Sequence, residues 1–181
     1  MTKDRPKISV LSSSQNLDSR SKAAALFCKE VLDKNGCVVD FIDLNNLELL
    51  PYPRSEQNQE IKNACNKFNN ADGWVLASPV YNFGASGTLL TFLHYALAID
   101  SGAQWKPFCI VASMNSMSSR LATDHLARSL MLERNAVAVG PTIISAGENI
   151  KEMSVSLRTR IEKQMKVLAH FVEARTNLQE W

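Results

Sequence analysis

The chain has 181 residues, of which 45% are hydrophobic and 21% are charged, and this composition is typical of one globular domain, which we expect to span residues 1–181. No apolar run approaches the roughly 18–20 residues that span a bilayer, and the polar start over residues 1–7 leads into no signal peptide, so we expect a cytoplasmic protein. The 20 basic and 18 acidic residues are scattered and leave a net charge of only +2, which gives nucleic-acid binding no electrostatic support.

Five apolar or β-branched segments predict strands, and a stretch of helical periodicity follows each of them. The first strand, Lys7–Leu11, leads from Ser19 into a helix that closes at Asn35-Gly36, where glycine suits a left-handed cap. The later strands are predicted at Cys37–Ile42, Gly73–Ala77, Phe108–Ala112 and Ala136–Val139. The later helices are predicted over Ile61–Phe68, Leu89–Ala96, Arg120–Glu133 and Leu157–Val172, the last with a cap near Ser154.

Alternation of five strands with five helices predicts an α/β fold, in which a five-stranded parallel sheet carries helices on both faces as a three-layer sandwich. Right-handed crossovers leave few topologies open, and five such units suit the strand order 2-1-3-4-5. Ligands of such sheets bind beyond the carboxyl ends of the strands, where the strand order reverses. The sequence therefore predicts a site at three loops, Ser12–Ser21, Ser78–Thr88 and Ser113–Ser119.

The four cysteines, Cys28, Cys37, Cys65 and Cys109, contain no CxxC pair. Cys65 falls on an apolar helix stripe and Cys109 lies inside an apolar strand, so both are expected to be small buried hydrophobic residues. These spacings disfavour a zinc site and a disulfide framework, and we predict no metal ligands.

The first loop, Ser12–Ser21, is rich in hydroxyl groups and leads directly into a helix. A helix N-terminus presents unpaired N–H groups and the positive end of the helix dipole, which favours an anion site, and Arg20 could add a charge-assisted hydrogen bond. Neither GxxxxGK[ST] nor GxGxxG is present, so the loop indicates a mononucleotide phosphate rather than a P-loop or dinucleotide site. A serine-rich helix cap with nothing bound is the alternative.

The second loop combines a proline, two glycines and two aromatic residues. We expect Pro79 to end the preceding strand, and we expect Gly84 and Gly87 to allow a close backbone approach. Tyr81 and Phe83 place aromatic surface at the carboxyl end of a strand, where a flat ring system could pack. The alternative is that these two side chains only cover the end of the sheet.

The other candidate side chains do not indicate acid–base chemistry. Met114 and Met117 of the third loop could line a ring pocket or pack against a helix. His94 is expected to be a packing or interface residue, His125 to lie on a solvated helix face, and His170 to lie far from the three loops. We therefore predict no catalytic side chain.

Three short motifs occupy these loops in a fixed order. They are Ser12-Ser13-Ser14-Gln15 with Ser19-Arg20-Ser21, then Pro79-Val80-Tyr81-Asn82, then Ser113-Met114-Asn115-Ser116. In this order they resemble the NADPH-dependent FMN reductase family, which is flavodoxin-like and shows GS(L/P)R with a serine-rich helix start, then P-x-Y-N, then a Ser-Gly-Gly-type loop. The resemblance spans roughly Ile8 to Pro141. The chain departs from the pattern at Ser12, where glycine is usual, at Gln15, where arginine is usual, and in the missing Gly-Gly.

The resemblance implies an FMN site and a set of residues that form it. It places the FMN phosphate at the first motif, the isoalloxazine ring and ribityl chain at the backbone of the second, and the other polar edge of the ring at the third. With Arg20 and Phe83 included, the predicted cofactor-binding residues are Ser13, Gln15, Ser19, Arg20, Ser21, Pro79, Val80, Tyr81, Asn82, Phe83, Ser113 and Asn115.

The resemblance also implies an enzyme of the NAD(P)H-dependent FMN or quinone reductase type. NADPH or NADH would deliver hydride to FMN, and a small acceptor such as free flavin or a quinone would then take the electrons in the same slot, as a ping-pong cycle. Because the cofactor carries this reaction, the protein supplies orientation and electrostatics. Two alternatives stay open: a flavodoxin-like electron carrier, a class that is usually strongly acidic, and a flavin-binding sensor without turnover.

The third helix, in the region 88–100, is apolar almost all round. A helix that covers one sheet face needs only an apolar stripe, so the surplus indicates a partner surface. The resemblance implies a homodimer through this region, with a homotetramer as a further option. The alternative is that the last helix and Trp105 bury this surface.

Overall fold

The computed structural model of the protein describes residues 5–53, 58–99, 104–115, 121–140, 143–146 and 153–178. Within these ranges the strands are β1 (Lys7–Ser12), β2 (Val38–Asp43), β3 (Gly73–Tyr81), β4 (Gly84–Ala85), β5 (Pro107–Met114), β6 (Val137–Ala138) and β7 (Ile143–Ala146). The α-helices are α1 (Arg20–Lys34), α2 (Gln59–Asn69), α3 (Gly87–Ile99), α4 (Leu121–Arg134) and α5 (Val155–Leu178), and a short 3-10 helix covers Leu44–Asn46. The five predicted strands and five predicted helices are confirmed.

The sheet has the order β2-β1-β3-β5, and both β6 and β7 pair with β5 in parallel. β6 pairs with the start of β5, where Pro107 lies opposite Val137, and β7 pairs with its end, where Met114 lies opposite Ala146. The two short strands therefore fill the fifth position of the sheet as pieces of one interrupted strand. This confirms the predicted order 2-1-3-4-5, although the sequence indicated only the first piece, Ala136–Val139.

The central strands are apolar on both sides because each side faces a separate layer of helices. Leu11 of β1 and Leu76 of β3 pack in a cluster with residues of α2, α3 and α4. Their neighbours Val10 and Val75 pack in a second cluster with residues of α1 and α5. Successive side chains of a strand point to opposite faces, so covering both faces requires the nearly continuous apolar runs that the sequence shows.

The helix ends follow local signals that the sequence carries. Ser19 caps α1, where its Oγ accepts the Lys22 N–H at 3.2 Å, and Ser154 caps α5, where its Oγ accepts the Leu157 N–H at 3.1 Å. Gly36 follows α1 with a φ of 83°, as expected for a glycine in the left-handed region. The predicted caps are thereby confirmed.

Strand β3 does not end at Pro79, so that expectation was wrong. The strand continues to Tyr81, and Pro79 lies in register opposite Ser113 of β5. Strand β1 ends with Ser12, which pairs with Ala77, so β3 has no β1 partner two residues further on. Because a parallel strand alternates its hydrogen bonds between two neighbours, the N–H that proline lacks would face the side that β1 has already left.

All four cysteines are buried and free of disulfides. Burial raises the pKa of the Cys65 thiol to about 11 and that of the Cys109 thiol to about 12, and it also raises the pKa values of Cys28 and Cys37. These thiols therefore stay protonated at neutral pH and serve as small apolar residues. In the described part of the chain, no group of three or more His, Cys, Asp or Glu side chains could hold a metal ion, and no helix is long and apolar enough to cross a membrane.

Candidate functional site

A cleft of about 190 Å³ opens at the carboxyl edge of the sheet, between the ends of β1, β3 and β5. Because the strands are parallel, the loops that follow them meet at this one edge. The residues that line the cleft are Ser14, Asn16, Asp18, Ser19, Arg20, Pro79, Val80, Tyr81, Ser113, Met114 and Asn115. All three predicted loops therefore contribute to a single cavity.

One wall of the cleft is a polar cup, which we define as residues 14–21, the loop after β1 and the first two residues of α1. Its hydroxyl groups are ordered before any ligand arrives: Ser19 Oγ lies 2.9 Å from Ser21 Oγ, and both side chains are buried. The first N–H groups of a helix have no partner within the helix. Since the N–H of Lys22 already donates to Ser19 Oγ, the N–H groups of Arg20 and Ser21 are the ones that remain for an anion.

Ser13 lies beneath the polar cup rather than in it. Its N–H and its Oγ both donate to the carbonyl of Ala77, at 3.1 and 3.0 Å, and it accepts a 2.8 Å hydrogen bond from Ser86 Oγ. Ser86 in turn accepts the N–H of Leu89 at 3.3 Å, in the first turn of α3. Ser13 was predicted to hold a phosphate, but here it joins β1, β3 and α3 below the cleft.

Gln15 and Arg20, both predicted as cofactor-binding residues, lie in different cavities. Gln15 lies outside the cleft, with its Nε2 atom 3.5 Å from the Leu44 carbonyl, and it lines a separate cavity of about 240 Å³ with Thr88 and Thr91. Arg20 lines the cleft, and its Nη2 atom donates to Asn115 Oδ1 at 2.6 Å. The positive charge at the site therefore comes from the first residue of α1 and not from position 15.

The opposite wall is an aromatic shelf, which we define as residues 79–84 around the hairpin of β3 and β4. Tyr81 pairs with Gly84, and the two residues between them, Asn82 and Phe83, have φ values of 48° and 63°. Two consecutive left-handed residues form the type I′ connection that suits a tight hairpin, although glycine is usual at the second position. The sequence analysis missed this hairpin because an Asn-Phe pair is an uncommon signal for it.

The two aromatic side chains of the shelf are exposed, and they differ in position. Tyr81 is 56% exposed and lines the cleft, whereas Phe83 is 61% exposed and does not. Both side chains thus keep more than half of their surface exposed, which leaves Tyr81 accessible to a ligand in the cleft. Asn82 also lies outside the cleft-lining set, and its part in the site is the turn that it makes.

Gly84 leaves open space beside Tyr81. A side-chain carbon added at Gly84 would meet only the Tyr81 carbonyl oxygen, at an ordinary contact distance of 3.5 Å. One added at Gly87 would meet nothing within 4 Å. Packing within this chain therefore requires a glycine at neither position.

The floor of the cleft on the β5 side is made by the end of that strand. Ser113 and Met114 are both buried within β5, while Asn115, the next residue, is exposed at the rim. Met114 thus lines a cavity, which was the first of the two alternatives for this residue, the other being packing against a helix. Met117 and the remainder of the third loop, residues 116–119, lie outside the described residues.

The charges at the cleft are few. Among the described residues that line it, Arg20 is the only cation and Asp18 the only acidic residue. The next cation along α1, Lys22, forms an ion pair with Asp43 whose Nζ–Oδ2 distance is 2.6 Å. Arg20 therefore supplies the positive charge that an anionic ligand in this cavity would meet.

A second, apolar groove of about 470 Å³ lies between α3 and α4, away from the cleft. It is lined in part by Leu90, Leu93 and Leu97, and it contains His94 and His125. Helix α5 packs on the opposite face of the sheet and Trp105 is 61% exposed, so the alternative that these two bury the third helix is wrong. No histidine lines the described part of the cleft.

The donor set of the cleft suits binding rather than acid–base chemistry. Hydroxyl groups, free helix N–H groups and a guanidinium converge on one end, which matches the needs of a phosphate. Tyr81 and the open space at Gly84 offer a flat apolar wall at the other end. The residues present therefore fit a phosphorylated molecule with a planar ring system, such as a flavin mononucleotide.

Comparison with known proteins gives a family and several similar folds. The family model of NADPH-dependent FMN reductases matches residues 6–149 of the chain. An oxidoreductase from Corynebacterium diphtheriae is 21% identical, with 93% of this chain and 97% of that chain covered and a TM-score of 0.73. The apo form of an NADH:FMN oxidoreductase is 20% identical, with 93% and 89% covered and a TM-score of 0.76.

The fold is shared with flavodoxins. A WrbA-like flavodoxin from Agrobacterium tumefaciens is 14% identical, with 94% of this chain and 99% of that chain covered and a TM-score of 0.68. At these identities the solved structures establish the flavodoxin-like fold. Comparison by sequence with functionally curated proteins gives no match.

Proposed function

The chain belongs to the NADPH-dependent FMN reductase family, which makes it a flavodoxin-like oxidoreductase with FMN and NAD(P)H as cofactors, and we propose that it takes hydride from NAD(P)H and reduces a small acceptor in a two-step cycle. The acceptor class that we propose is free flavin, a quinone or a similar planar molecule. One observation carries this proposal: the polar cup and the aromatic shelf face each other across a single cleft.

The polar cup is proposed to hold the FMN phosphate. Ser19 is buried and oriented by its hydrogen bonds to the Lys22 N–H and to Ser21, so no side-chain entropy is lost when it meets a ligand. The N–H groups of Arg20 and Ser21 point outward from the start of α1, where the helix dipole is positive. The Arg20 guanidinium supplies a charge opposite to that of the phosphate.

The aromatic shelf and the end of β5 are proposed to hold the flavin ring. Tyr81 offers a flat surface, and the backbone of Pro79 and Val80 at the same wall offers polar groups to the ring edge. Ser113 lines the same cleft from the β5 side, and Asn115 at the rim accepts a hydrogen bond from Arg20. When bound, FMN would supply the redox chemistry, namely the transfer of a hydride equivalent (two electrons and a proton) from a reduced nicotinamide nucleotide to the acceptor.

The protein's own part in this reaction is to orient the two reactants and leave room for them. Gly84 pairs with Tyr81 and leaves space beside it, and we propose that a nicotinamide or an acceptor ring approaches a ring held against Tyr81 through that space. Hydride transfer requires no acid, base or nucleophile from the protein. Since NAD(P)H and FMN are cytoplasmic metabolites, we propose that the protein acts in the cytoplasm.

The proposal is tested on the purified protein by its visible spectrum and by nucleotide oxidation. We expect a bound-flavin spectrum after addition of FMN, and oxidation of NADPH or NADH that depends on FMN and accelerates with free FMN, a benzoquinone or ferricyanide. Parallel assays without FMN measure the background. A protein that binds no flavin would contradict the whole proposal, and bound flavin without nucleotide oxidation would favour the carrier or sensor alternatives.

We also propose that a second copy of the chain covers the groove between α3 and α4, which would make the protein a homodimer. The groove is lined by Leu90, which is 36% exposed, by the half-buried Leu97 and by the buried Leu93 of α3. We expect Leu90→Glu to convert a dimer into a monomer in sedimentation equilibrium. Leu26→Glu, an equally polar change at an exposed leucine of α1, should leave the mass unchanged, and a monomeric unmodified protein would refute the proposal.

A further inference from the structure

We propose that Arg20, held in position by Asn115, makes the cleft selective for a flavin that carries a terminal phosphate, that is, for FMN over riboflavin. This inference rests on the proposed function, because it assigns a specificity-determining residue to the same site. It goes beyond the family motif, since the usual arginine of that motif is absent here and its position carries Gln15.

Arg20 lies at the start of helix α1 and lines the cleft. It is the first residue of α1 and directly follows the N-cap Ser19, so its side chain and the free helix N–H groups lie at the same end of the cleft. From there the Arg20 side chain reaches Asn115, and its Nη2 atom donates a hydrogen bond to Asn115 Oδ1 at 2.6 Å. The two residues are 95 positions apart in the sequence. Such a short bond is typical of a charged donor.

The Arg20 guanidinium keeps most of its hydrogen-bonding capacity. Arginine has five N–H donors in a fixed planar fork, and the Asn115 amide oxygen is a neutral acceptor that leaves the charge uncompensated. In the described ranges no carboxylate forms an ion pair with Arg20, whereas its neighbour Lys22 is paired with Asp43 at 2.6 Å. Arg20 is therefore free to bind a dianionic group, and Lys22 is already neutralised.

Asn115 restricts the conformations that the Arg20 side chain can adopt. An arginine side chain on a helix surface samples many rotamers, and fixing it on binding costs free energy. The Asn115 bond holds the guanidinium over the cleft in advance. Asn115 thus acts as a positioning residue for Arg20, and its loss should weaken the binding of a phosphorylated ligand more than the binding of an unphosphorylated one.

Gln15 cannot bind the phosphate in this way in the observed arrangement. Its side chain is uncharged, points toward the Leu44 carbonyl and lines a different cavity, with Thr88 and Thr91. The family motif and the site of positive charge are therefore separated in this chain. Only the three-dimensional arrangement brings Arg20 to the place that a phosphate would occupy.

The test is a titration of FMN and riboflavin, followed by flavin fluorescence, with unmodified protein and with Arg20→Gln, Asn115→Ala and the double variant. Because a hydrogen bond to a charged group is worth about 10- to 100-fold in affinity, we expect Arg20→Gln to weaken FMN by that factor and riboflavin by less than about threefold. Asn115→Ala should weaken FMN by roughly three- to tenfold and riboflavin hardly at all. The double variant should resemble Arg20→Gln alone, since Asn115 acts through Arg20.

Two further variants complete the design. Lys29→Gln removes the same charge from an exposed ion pair with Asp33 on the same helix and should leave both affinities unchanged. Arg20→Lys should restore part of the FMN affinity because it restores the charge without the planar fork.

Three outcomes would contradict these expectations, and each would have a different meaning. If unmodified protein binds both flavins and Arg20→Gln leaves their affinity ratio unchanged, the inference is overturned while the proposed function stands. If Asn115→Ala weakens both flavins equally, Asn115 contacts the ring and does not position Arg20. If unmodified protein binds neither flavin, it is the proposed function that fails.

Discussion

The two walls of the cleft are built in opposite ways. The polar cup consists of buried hydroxyl groups that already hydrogen-bond to one another and to the start of α1. The aromatic shelf consists of exposed rings on a hairpin whose two turn residues both have positive φ values. The hydroxyl groups of one wall thus already have partners within the chain, while the other wall presents apolar surface to water.

This difference indicates which wall gains more from a ligand. Polar groups that are fixed in advance cost little to order on binding, so the cup contributes selectivity for an anion. Exposed aromatic surface gains free energy when a flat molecule removes it from water, so the shelf contributes affinity for a ring. The predictions below test how the two walls bind a ligand and how each is held in place.

The largest effect is expected from Ser19→Asp in the polar cup. Aspartate is also a good helix cap, so the fold should be retained, but its carboxylate would face the FMN phosphate at close range. We expect FMN affinity to fall by more than about 100-fold, since like charges and a lost donor combine. Fluorescence titration with FMN measures the change.

Ser154→Asp is the matched control for that variant. Ser154 caps α5 with the same bond to the third residue of its helix, and it does not line the cleft. Its substitution should leave FMN affinity unchanged within about twofold. Equal affinities for the two variants would remove the polar cup from the site.

A smaller effect, on stability, is expected from Ser86→Ala beneath the cleft. This change removes the hydrogen bonds of Ser86 Oγ to Ser13 and to the Leu89 N–H, and we expect a loss of about 1–2 kcal/mol in the free energy of unfolding. Urea unfolding measures it. Thr159→Ala removes an exposed bond within α5 and should cost less than about 0.5 kcal/mol; equal losses would show that the Ser13–Ser86 contact does not support the cup.

The smallest expected effect on stability is the difference between Phe83→Gly and Phe83→Ala in the aromatic shelf. Both changes remove the ring, but only glycine relieves the positive φ of 63°, so the glycine variant should be more stable than the alanine variant by about 0.5–1 kcal/mol. Thermal unfolding measures the difference. A less stable glycine variant would contradict the strain assigned to this turn.

The same pair of variants sharpens the contrast between the two aromatic residues. Phe83 lies outside the cleft-lining set, so both variants should bind FMN within about threefold of the unmodified protein. Tyr81→Ala removes the ring that does line the cleft and should weaken FMN by roughly tenfold. If Phe83→Ala weakened FMN as much as Tyr81→Ala, the shelf would extend further than the structure indicates.

The fold was predictable because its signals are local and repeated. The apolar stripes of the helices, the caps at Ser19 and Ser154 and the turn at Gly36 can each be recognised within a few residues. The interrupted fifth strand was only half predicted, because β7 is as short as many loops and acquires strand geometry by pairing with β5. The passage of β3 through Pro79 depended in the same way on where β1 ends.

The candidate site was predictable as a place and less so as a set of atoms. The meeting of three loops follows from the topology, and Tyr81, Ser19 and Asn115 lie where the loops suggested. Ser13, Gln15, Ser21, Asn82 and Phe83 do not line the cleft, although each was a predicted cofactor-binding residue. Whether a serine faces a cavity or the chain below it is decided by its hydrogen-bond partners, and those of Ser13 are more than 60 residues away.

The sequence by itself predicted the layers of the fold and the edge of the sheet at which the three loops meet, because periodicity and helix caps are properties of short segments and the alternation of strands with helices leaves few strand orders open. Only the tertiary structure decided that the Arg20 side chain enters the cleft while Gln15 lines a different cavity. The physical reason is that a side chain's direction depends on the groups it meets, and Arg20 meets Asn115, which the fold brings from 95 residues away.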